Sequence, residues 1–171
     1  MRNRLDVPLA SLGITRRSII DAAMELFIPA PKFGKKKARK MFEEELERVL
    51  GDANVRVLLY AGILLEKEGR NGKLPVDADL YREDSVALVA DEVLGIALAT
   101  YINGYKALFE YIRYDKKKPG VLRHLGPFMD DVIAALIGGI SSKVCDRICE
   151  VEPHSDLRSV NNNRENVSGG V

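Results

Sequence analysis

Apolar residues recur at helical spacing from about residue 15 to residue 150, and the alternating pattern typical of strands is nearly absent. This periodicity predicts an all-α protein. The 171 residues, 46% of them hydrophobic, are enough for one domain with a sizeable core. We therefore expect a single multihelical domain of about six helices at 15–152. An N-terminal segment at 1–14 precedes it, and a polar, disordered tail at 153–171 follows it.

Prolines, glycines and capping residues divide the helical region into predicted elements. The first helix is capped by Thr15 or Ser11 and stopped by Pro29, and the second and third cover 36–50 and 54–68. A turn-rich loop at 69–79 leads to a fourth helix at 84–101. Asn103-Gly104 bends or ends that helix, and a fifth continues to residue 114. After a loop at 116–127, in which 121–125 can form a helical turn, the last helix covers 128–149.

Charge and composition exclude several function classes. The formal net charge is +1, which indicates neither a nucleic-acid partner nor a membrane-surface partner. No apolar run approaches the roughly 20 residues that a membrane span needs. The start of the chain does not resemble a signal peptide. On these two grounds we expect a cytoplasmic protein. The two cysteines lack metal or redox spacing. The basic KKKARK segment at 35–40 is typical of a solvated helix face, with contact to an anionic lipid surface as the alternative.

An acidic pair, Asp91-Glu92, lies inside the apolar sequence VALVADEVLGIALATY. The predicted helix places this pair near its middle. Neighbouring helix positions are about 100° apart, so at least one of the two carboxylates should face the bundle or its edge. A buried carboxylate costs several kcal/mol unless a cation or hydrogen bonds compensate it. The alternative is a narrow solvated stripe along the helix.

A second acidic pair, Asp130-Asp131, follows Gly126-Pro127 and should occupy the first turn of the last helix. Acidic residues there also favour the positive end of the helix dipole without any further role. However, this helix carries Gly138 and Gly139, which indicates that another backbone approaches closely. If that backbone belongs to the Asp91-Glu92 helix, four carboxylates could converge on one or two Mg²⁺ ions.

A basic segment, RYDKKKPG, lies between the two acidic pairs. Lys116 and Lys117 are typical of a solvated loop. Lys118 is stiffened by the following proline, and Arg113 has the fork geometry that suits a phosphate. Asp115 is a candidate to orient Lys118 or to add to the metal ligands. The sequence therefore predicts a divalent-metal site beside an anion site.

The blocks VADEVLG, YDKKKPG and GPFMDDVIAAL, in this order, resemble the phosphatidylglycerophosphatase A family, and most closely its soluble branch. The resemblance implies Mg²⁺-dependent phosphomonoester hydrolysis. It implies metal ligands at Asp91, Glu92, Asp130 and Asp131, and catalytic roles for Asp131, Lys118, Arg113 and Asp115. Membrane-bound members carry an arginine where Ile112 stands here and a tryptophan where Gly120 stands. These departures weaken the case for a lipid substrate.

Soluble archaeal members of that family are similar to α-ribazole-5′-phosphate phosphatases of cobamide biosynthesis. The resemblance therefore implies a small phosphorylated nucleoside as the substrate, with Mg²⁺ as the cofactor. Soluble relatives are oligomeric, so we also expect a homo-oligomer, either a dimer or a tetramer. Two alternatives stay open: a phosphatidylglycerophosphate phosphatase, and a helical interaction module without catalytic activity.

Overall fold

The computed structural model describes residues 5–29 and 33–151, and this part of the chain contains seven α-helices, one 3-10 helix and no strand. The prediction of an all-α fold is confirmed. The tail predicted at 153–171 lies outside the described residues. The α-helices are α1 Asp6–Ala10, α2 Arg16–Glu25, α3 Lys35–Gly51, α4 Ala53–Arg70, α5 Ala78–Arg82, α6 Ala90–Lys117 and α7 Pro127–Val151, and the 3-10 helix is Gly120–His124.

Capping side chains begin α2 and α4 close to where the sequence predicts. Thr15 accepts a hydrogen bond from the Ser18 N–H, and the Ser18 hydroxyl accepts one from the Thr15 N–H, which completes a capping box. Asp52 accepts bonds from the N–H groups of Asn54 and Val55 at the start of α4. Each cap satisfies backbone donors that the first helical turn leaves unpaired.

Two short helices and one helix start differ from the sequence prediction. Helix α1 lies in the segment predicted as a separate N-terminus, and its Leu9 packs into the common core. Helix α5 lies in and just after the predicted loop. The helix predicted from residue 84 begins only at Ala90, because Asp84 adopts a left-handed backbone with φ 48° and Val86 is 95% exposed. A helix there would bury no apolar side chain, so packing does not favour one.

Helix α6 folds back on itself at Asn103-Gly104, where the backbone leaves helical geometry. In a straight helix, Gly95 and Tyr111 would be separated by about 24 Å, at 1.5 Å per residue. Instead, a Cβ built on Gly95 would lie 2.8 Å from the Tyr111 hydroxyl. Gly104 has φ 61° and ψ −152°, a region that only glycine adopts readily. The predicted bend is therefore a sharp reversal between two packed helical halves.

Helix α7 runs through the centre of the molecule, and its residues from Phe128 to Ile140 are buried almost without interruption. A Cβ on Gly138 would lie 2.5 Å from the backbone nitrogen of Tyr111 in the second half of α6. The predicted close approach of another backbone to α7 is thus confirmed, but at Gly138 that backbone belongs to the predicted fifth helix and not to the helix of Asp91-Glu92. Among residues 5–29 and 33–151, none of the helices combines the length and apolarity needed to cross a bilayer.

Candidate metal and anion site

Three carboxylates converge where α6 and α7 begin. Asp91 and Glu92 lie in the first turn of α6, and Asp131 lies in the second turn of α7. One ligand oxygen from each of the three lies within 4.8 Å of the others. Asp91 and Asp131 are buried, whereas Glu92 is exposed, as expected of adjacent helix positions. The pair was predicted mid-helix, and the late start of α6 places it at the helix N-terminus instead.

Burial disfavours the charged forms of the two buried carboxylates of this group. Burial raises the pKa of Asp91 to about 7, and its contact with Glu92 adds to the shift. Burial likewise raises the pKa of Asp131 to about 8; a hydrogen bond from Tyr111 opposes the shift, and the charge on Asp130 adds to it. A bound cation would favour the charged forms that burial disfavours.

Asp130 takes part in a separate ion pair. Its carboxylate accepts a hydrogen bond from the Lys118 ammonium. Burial raises the pKa of Asp130 to about 6, although Lys118 opposes the shift. The four predicted carboxylates therefore divide into two groups. Three of them can share one metal ion, whereas Asp130 pairs with the Lys118 ammonium beside them.

Lys118 ends α6 in a left-handed conformation, with φ 42° and ψ 57°. A residue before proline normally avoids helical geometry of either hand, so this backbone is strained. Burial lowers the pKa of the Lys118 ammonium, but Asp130 and the nearby carboxylates outweigh burial, and the net effect is a raised pKa. The ammonium stays charged beside the acidic group.

Asp84 is a member of this site that sequence reasoning missed. Its carboxylate lies 3.9 Å from the Lys118 ammonium. The sequence suggested Asp84 only as a possible helix start. Its left-handed backbone, which Asp tolerates better than most residues, removes it from α6 and leaves it in the preceding loop.

Arg113 and Asp115 occupy different sides of α6. The Arg113 guanidinium donates to the Leu26 carbonyl at 3.2 Å and pairs with Glu110, so it faces α2 rather than the acidic group. Two helical positions correspond to about 200°, which is why Arg113 diverges from Tyr111 and Asp115. The negative charge of Asp115, by contrast, contributes to the raised pKa values of Asp131 and Tyr111. The predicted phosphate contact of Arg113 does not fit this placement.

Tyr111 is the second member that the sequence did not reveal. Its hydroxyl donates to Oδ1 of Asp131 at 2.9 Å, and burial together with Asp131 raises the pKa of Tyr111 far above its ordinary value. Tyr111 precedes Asp115 by one helical turn. That spacing was visible in the sequence, but the bond to Asp131 depends on how α6 and α7 pack.

The donor set fits a hard divalent cation such as Mg²⁺. All three candidate ligands are carboxylate oxygens, the donor type that Mg²⁺ prefers and Zn²⁺ sites seldom use alone. Burial without a cation leaves Asp91 and Asp131 with strongly raised pKa values. Lys118 is already paired with Asp130 and carries only one positive charge. Asp91, Glu92 and Asp131 would hold the ion.

The chain is similar to the uncharacterized protein MJ1330 of Methanocaldococcus jannaschii. The two are 40% identical over 129 residues, which cover 73% of this chain and 98% of the relative. No protein-family model matches the chain. The archaeal relative carries no stated activity, so the similarity identifies a family without identifying a reaction.

Three solved bacterial structures have a similar fold. The low temperature requirement C protein of Listeria monocytogenes has a TM-score of 0.73 at 20% identity, covering 85% of this chain and 94% of that one. Protein ypjQ of Bacillus subtilis has a TM-score of 0.72 at 19% identity, covering 86% and 94%. A Bacillus stearothermophilus protein of unknown function has a TM-score of 0.70 at 24% identity, covering 86% and 96%. At such identities the likeness shows the fold alone.

Proposed function

The chain belongs to the family of protein MJ1330 of Methanocaldococcus jannaschii, and from its own site residues we propose that it is a Mg²⁺-dependent phosphomonoester hydrolase. Its proposed substrate is α-ribazole 5′-phosphate, a small phosphorylated nucleoside. The convergence of Asp91, Glu92 and Asp131 beside the Asp130–Lys118 ion pair carries the proposed metal-dependent hydrolysis. The proposed substrate follows from the resemblance of the three sequence blocks to soluble phosphatases. A cluster so rich in carboxylates would repel a phosphate dianion unless a metal ion neutralised it.

The proposed reaction is transfer of the phosphoryl group to water. The oxygen of water attacks phosphorus, the bond from phosphorus to the ribose 5′ oxygen breaks, and that oxygen gains the proton that water gives up. α-Ribazole and inorganic phosphate then leave. Mg²⁺ at this site would polarise the phosphoryl group and lower the pKa of the water. Asp131 is the proposed acceptor of the water proton, and an aspartyl-phosphate intermediate is the alternative chemistry.

Lys118 is the proposed phosphoryl-binding cation. Its ammonium is half-buried and is fixed beside the cluster by Asp130 and Asp84. A positioned cation in a partly desolvated site stabilises charge on phosphoryl oxygens more than a solvated one does. Asp115 is the residue proposed to orient the Lys118 ammonium. Arg113 is left out of the proposal because Leu26 and Glu110 hold its guanidinium elsewhere.

The test is phosphate release by the purified full-length protein with Mg²⁺, using α-ribazole 5′-phosphate and phosphatidylglycerophosphate in liposomes as parallel substrates. Wild type is compared with Asp131→Asn. Asp79→Asn is the matched control, because Asp79 is an exposed carboxylate that pairs with Arg82 on α5. We expect rapid release from the nucleotide by wild type and the control, and a loss of about 100-fold or more in Asp131→Asn.

Each other result has a definite meaning. Release only from the lipid would replace the proposed substrate with a phospholipid and keep the metal chemistry. No release from either substrate, together with a melting temperature that Mg²⁺ does not change, would favour the interaction module. Ligand at 100 times its dissociation constant adds about 2.7 kcal/mol to the free energy of unfolding, so a real metal site would be detected.

We also propose that the chain forms a dimer or tetramer. Exposed apolar side chains lie at helical spacing on α4, at Val57, Tyr60 and Leu64, and on the neighbouring α6, at Val93 and Ile96. Exposed apolar side chains repeated along neighbouring helices are typical of interfaces between protein chains. The expected partner is a second copy of the chain.

A further inference from the structure

The side chain of Tyr111 crosses from the second half of α6 to the metal-ligand candidate Asp131 on α7. Tyr111 is 3% exposed and Asp131 is 5% exposed, so their hydrogen bond is shielded from water. The hydroxyl donates to Oδ1 at 2.9 Å. A bond in such surroundings restricts the rotation of the carboxylate more strongly than a solvated bond would.

Two glycines fix the place of this hydroxyl. A Cβ on Gly95 would lie 2.8 Å from the Tyr111 hydroxyl oxygen and 2.9 Å from the ring carbon that carries it. A Cβ on Gly138 would lie 2.5 Å from the Tyr111 backbone nitrogen. The hydroxyl therefore fits against the first half of α6 because Gly95 lacks a side chain, and Gly138 lets the backbone that carries Tyr111 lie close to α7.

We infer that Tyr111 is a positioning residue for the metal site. Its hydroxyl engages Oδ1 of Asp131 and thereby favours Oδ2 as the oxygen offered to an ion shared with Asp91 and Glu92. Hydrogen bonds that orient a ligand in this way typically change metal affinity by about 10- to 100-fold when removed. The inference rests on the proposed metal site, and it assigns Tyr111 no direct contact with substrate.

The test measures Mg²⁺ binding directly, by calorimetric titration of full-length wild type and Tyr111→Phe. We expect the Mg²⁺ dissociation constant of Tyr111→Phe to rise about 10- to 100-fold. With activity as a second readout, the concentration of Mg²⁺ needed for half-maximal rate should rise by a similar factor. Most of the maximal rate should return at saturating Mg²⁺. If the hydroxyl were purely structural, its removal would lower stability without raising the Mg²⁺ concentration needed for half-maximal rate.

Tyr114→Phe is the matched control. The Tyr114 ring is 1% exposed, and its hydroxyl donates to the Ala23 carbonyl at 3.0 Å and accepts from Ser141 at 3.1 Å. Removal of that hydroxyl should destabilise the fold in the same way while leaving the Mg²⁺ dissociation constant within about twofold of wild type. If both tyrosine variants weakened Mg²⁺ binding equally, the positioning role would be refuted.

A second variant protects the test against a Tyr111→Phe protein that fails to fold. Gly95→Ala keeps the tyrosine but forces its hydroxyl away from the observed position, so it should also weaken Mg²⁺ binding. An unchanged dissociation constant in a folded Tyr111→Phe or Gly95→Ala protein would overturn the inference while leaving the proposed function intact. No measurable Mg²⁺ binding by wild type would overturn both.

Discussion

Asp131 occupies an environment that favours its protonated form. Burial raises its pKa to about 8, and the charge on Asp130 adds to this, whereas the Tyr111 hydroxyl opposes it. A carboxyl whose folded-state pKa lies above its unfolded value of about 3.9 contributes stability that is fully present below that value. This contribution is lost as the pH rises toward 8. Without a divalent ion, Asp131 should therefore make the fold less stable at pH 8 than at pH 5.

Replacement of Asp131 by asparagine isolates this effect. In EDTA, the free energy of unfolding of Asp131→Asn minus that of wild type should increase between pH 5 and pH 8, by on the order of 2–4 kcal/mol. Saturating Mg²⁺ at pH 8 should restore much of the wild-type stability and have little effect on the variant. Urea unfolding at four pH values measures both trends. Parallel pH curves for the two proteins would contradict the assigned shift.

Residue chemistry explains which parts of the site the sequence could predict. Asp91, Asp131 and Lys118 were identifiable because charged groups stood among apolar neighbours or before a proline. The predicted phosphate contact of Arg113 does not fit the structure, because Arg113 lies two helical positions from Tyr111 and its side chain therefore points about 200° away. Tyr111 became visible as a site residue only with the fold, since an apolar helix face gives no sign that a tyrosine will meet a carboxylate 20 residues away.

At the level of elements, the bounds of three long helices with a clear apolar period were predictable. Helices α3, α4 and α7 begin and end within about two residues of their predicted bounds. Helices α1 and α5 have five residues each, too few for a 3.6-residue period to be recognised. The bend in α6 was signalled by Asn103-Gly104, but the degree of reversal depends on packing between Gly95 and Tyr111.

The contact between α6 and α7 depends on Gly138, and its replacement tests this. In Gly138→Ala the new methyl group would meet the Tyr111 backbone, which cannot swing aside as a side chain can. We expect a loss of about 1–3 kcal/mol in the free energy of unfolding, together with weaker Mg²⁺ binding because α6 moves relative to Asp131. Thermal and urea unfolding measure the first effect, and calorimetry measures the second.

Gly51→Ala provides the comparison for Gly138→Ala. Gly51 also lies within a helix, at the end of α3, but a Cβ there meets nothing within 4 Å. That variant should be neutral or more stable than wild type by up to about 1 kcal/mol, because alanine favours helix more than glycine does. Equal destabilisation of both variants would show that the effect is not specific to the contact between α6 and α7.

For the molecule as a whole, part of the outer surface is apolar. Helix α4 buries one face, which includes Leu59 and Ile63, and exposes a second apolar stripe at Val57, Tyr60 and Leu64. It packs beside α6, where the Asn54 amide donates to the Tyr101 hydroxyl at 2.7 Å. The core accounts for the first apolar face of α4, whereas the second has no partner within the described chain.

Self-association through this surface can be tested with two valines of similar exposure. Val57 is 67% exposed on α4, and Val7 is 73% exposed on α1. A carboxylate at Val57 would have to lose its hydration inside the proposed interface, so Val57→Asp should shift a dimer or tetramer to the monomer. Val7→Asp, which adds the same charge on α1 and not on α4 or α6, should keep the wild-type mass. Sedimentation velocity at several concentrations measures the masses. Monomeric wild type, or an unchanged mass in Val57→Asp, would contradict the proposed interface without affecting the metal site, since Val57 belongs to neither acidic pair.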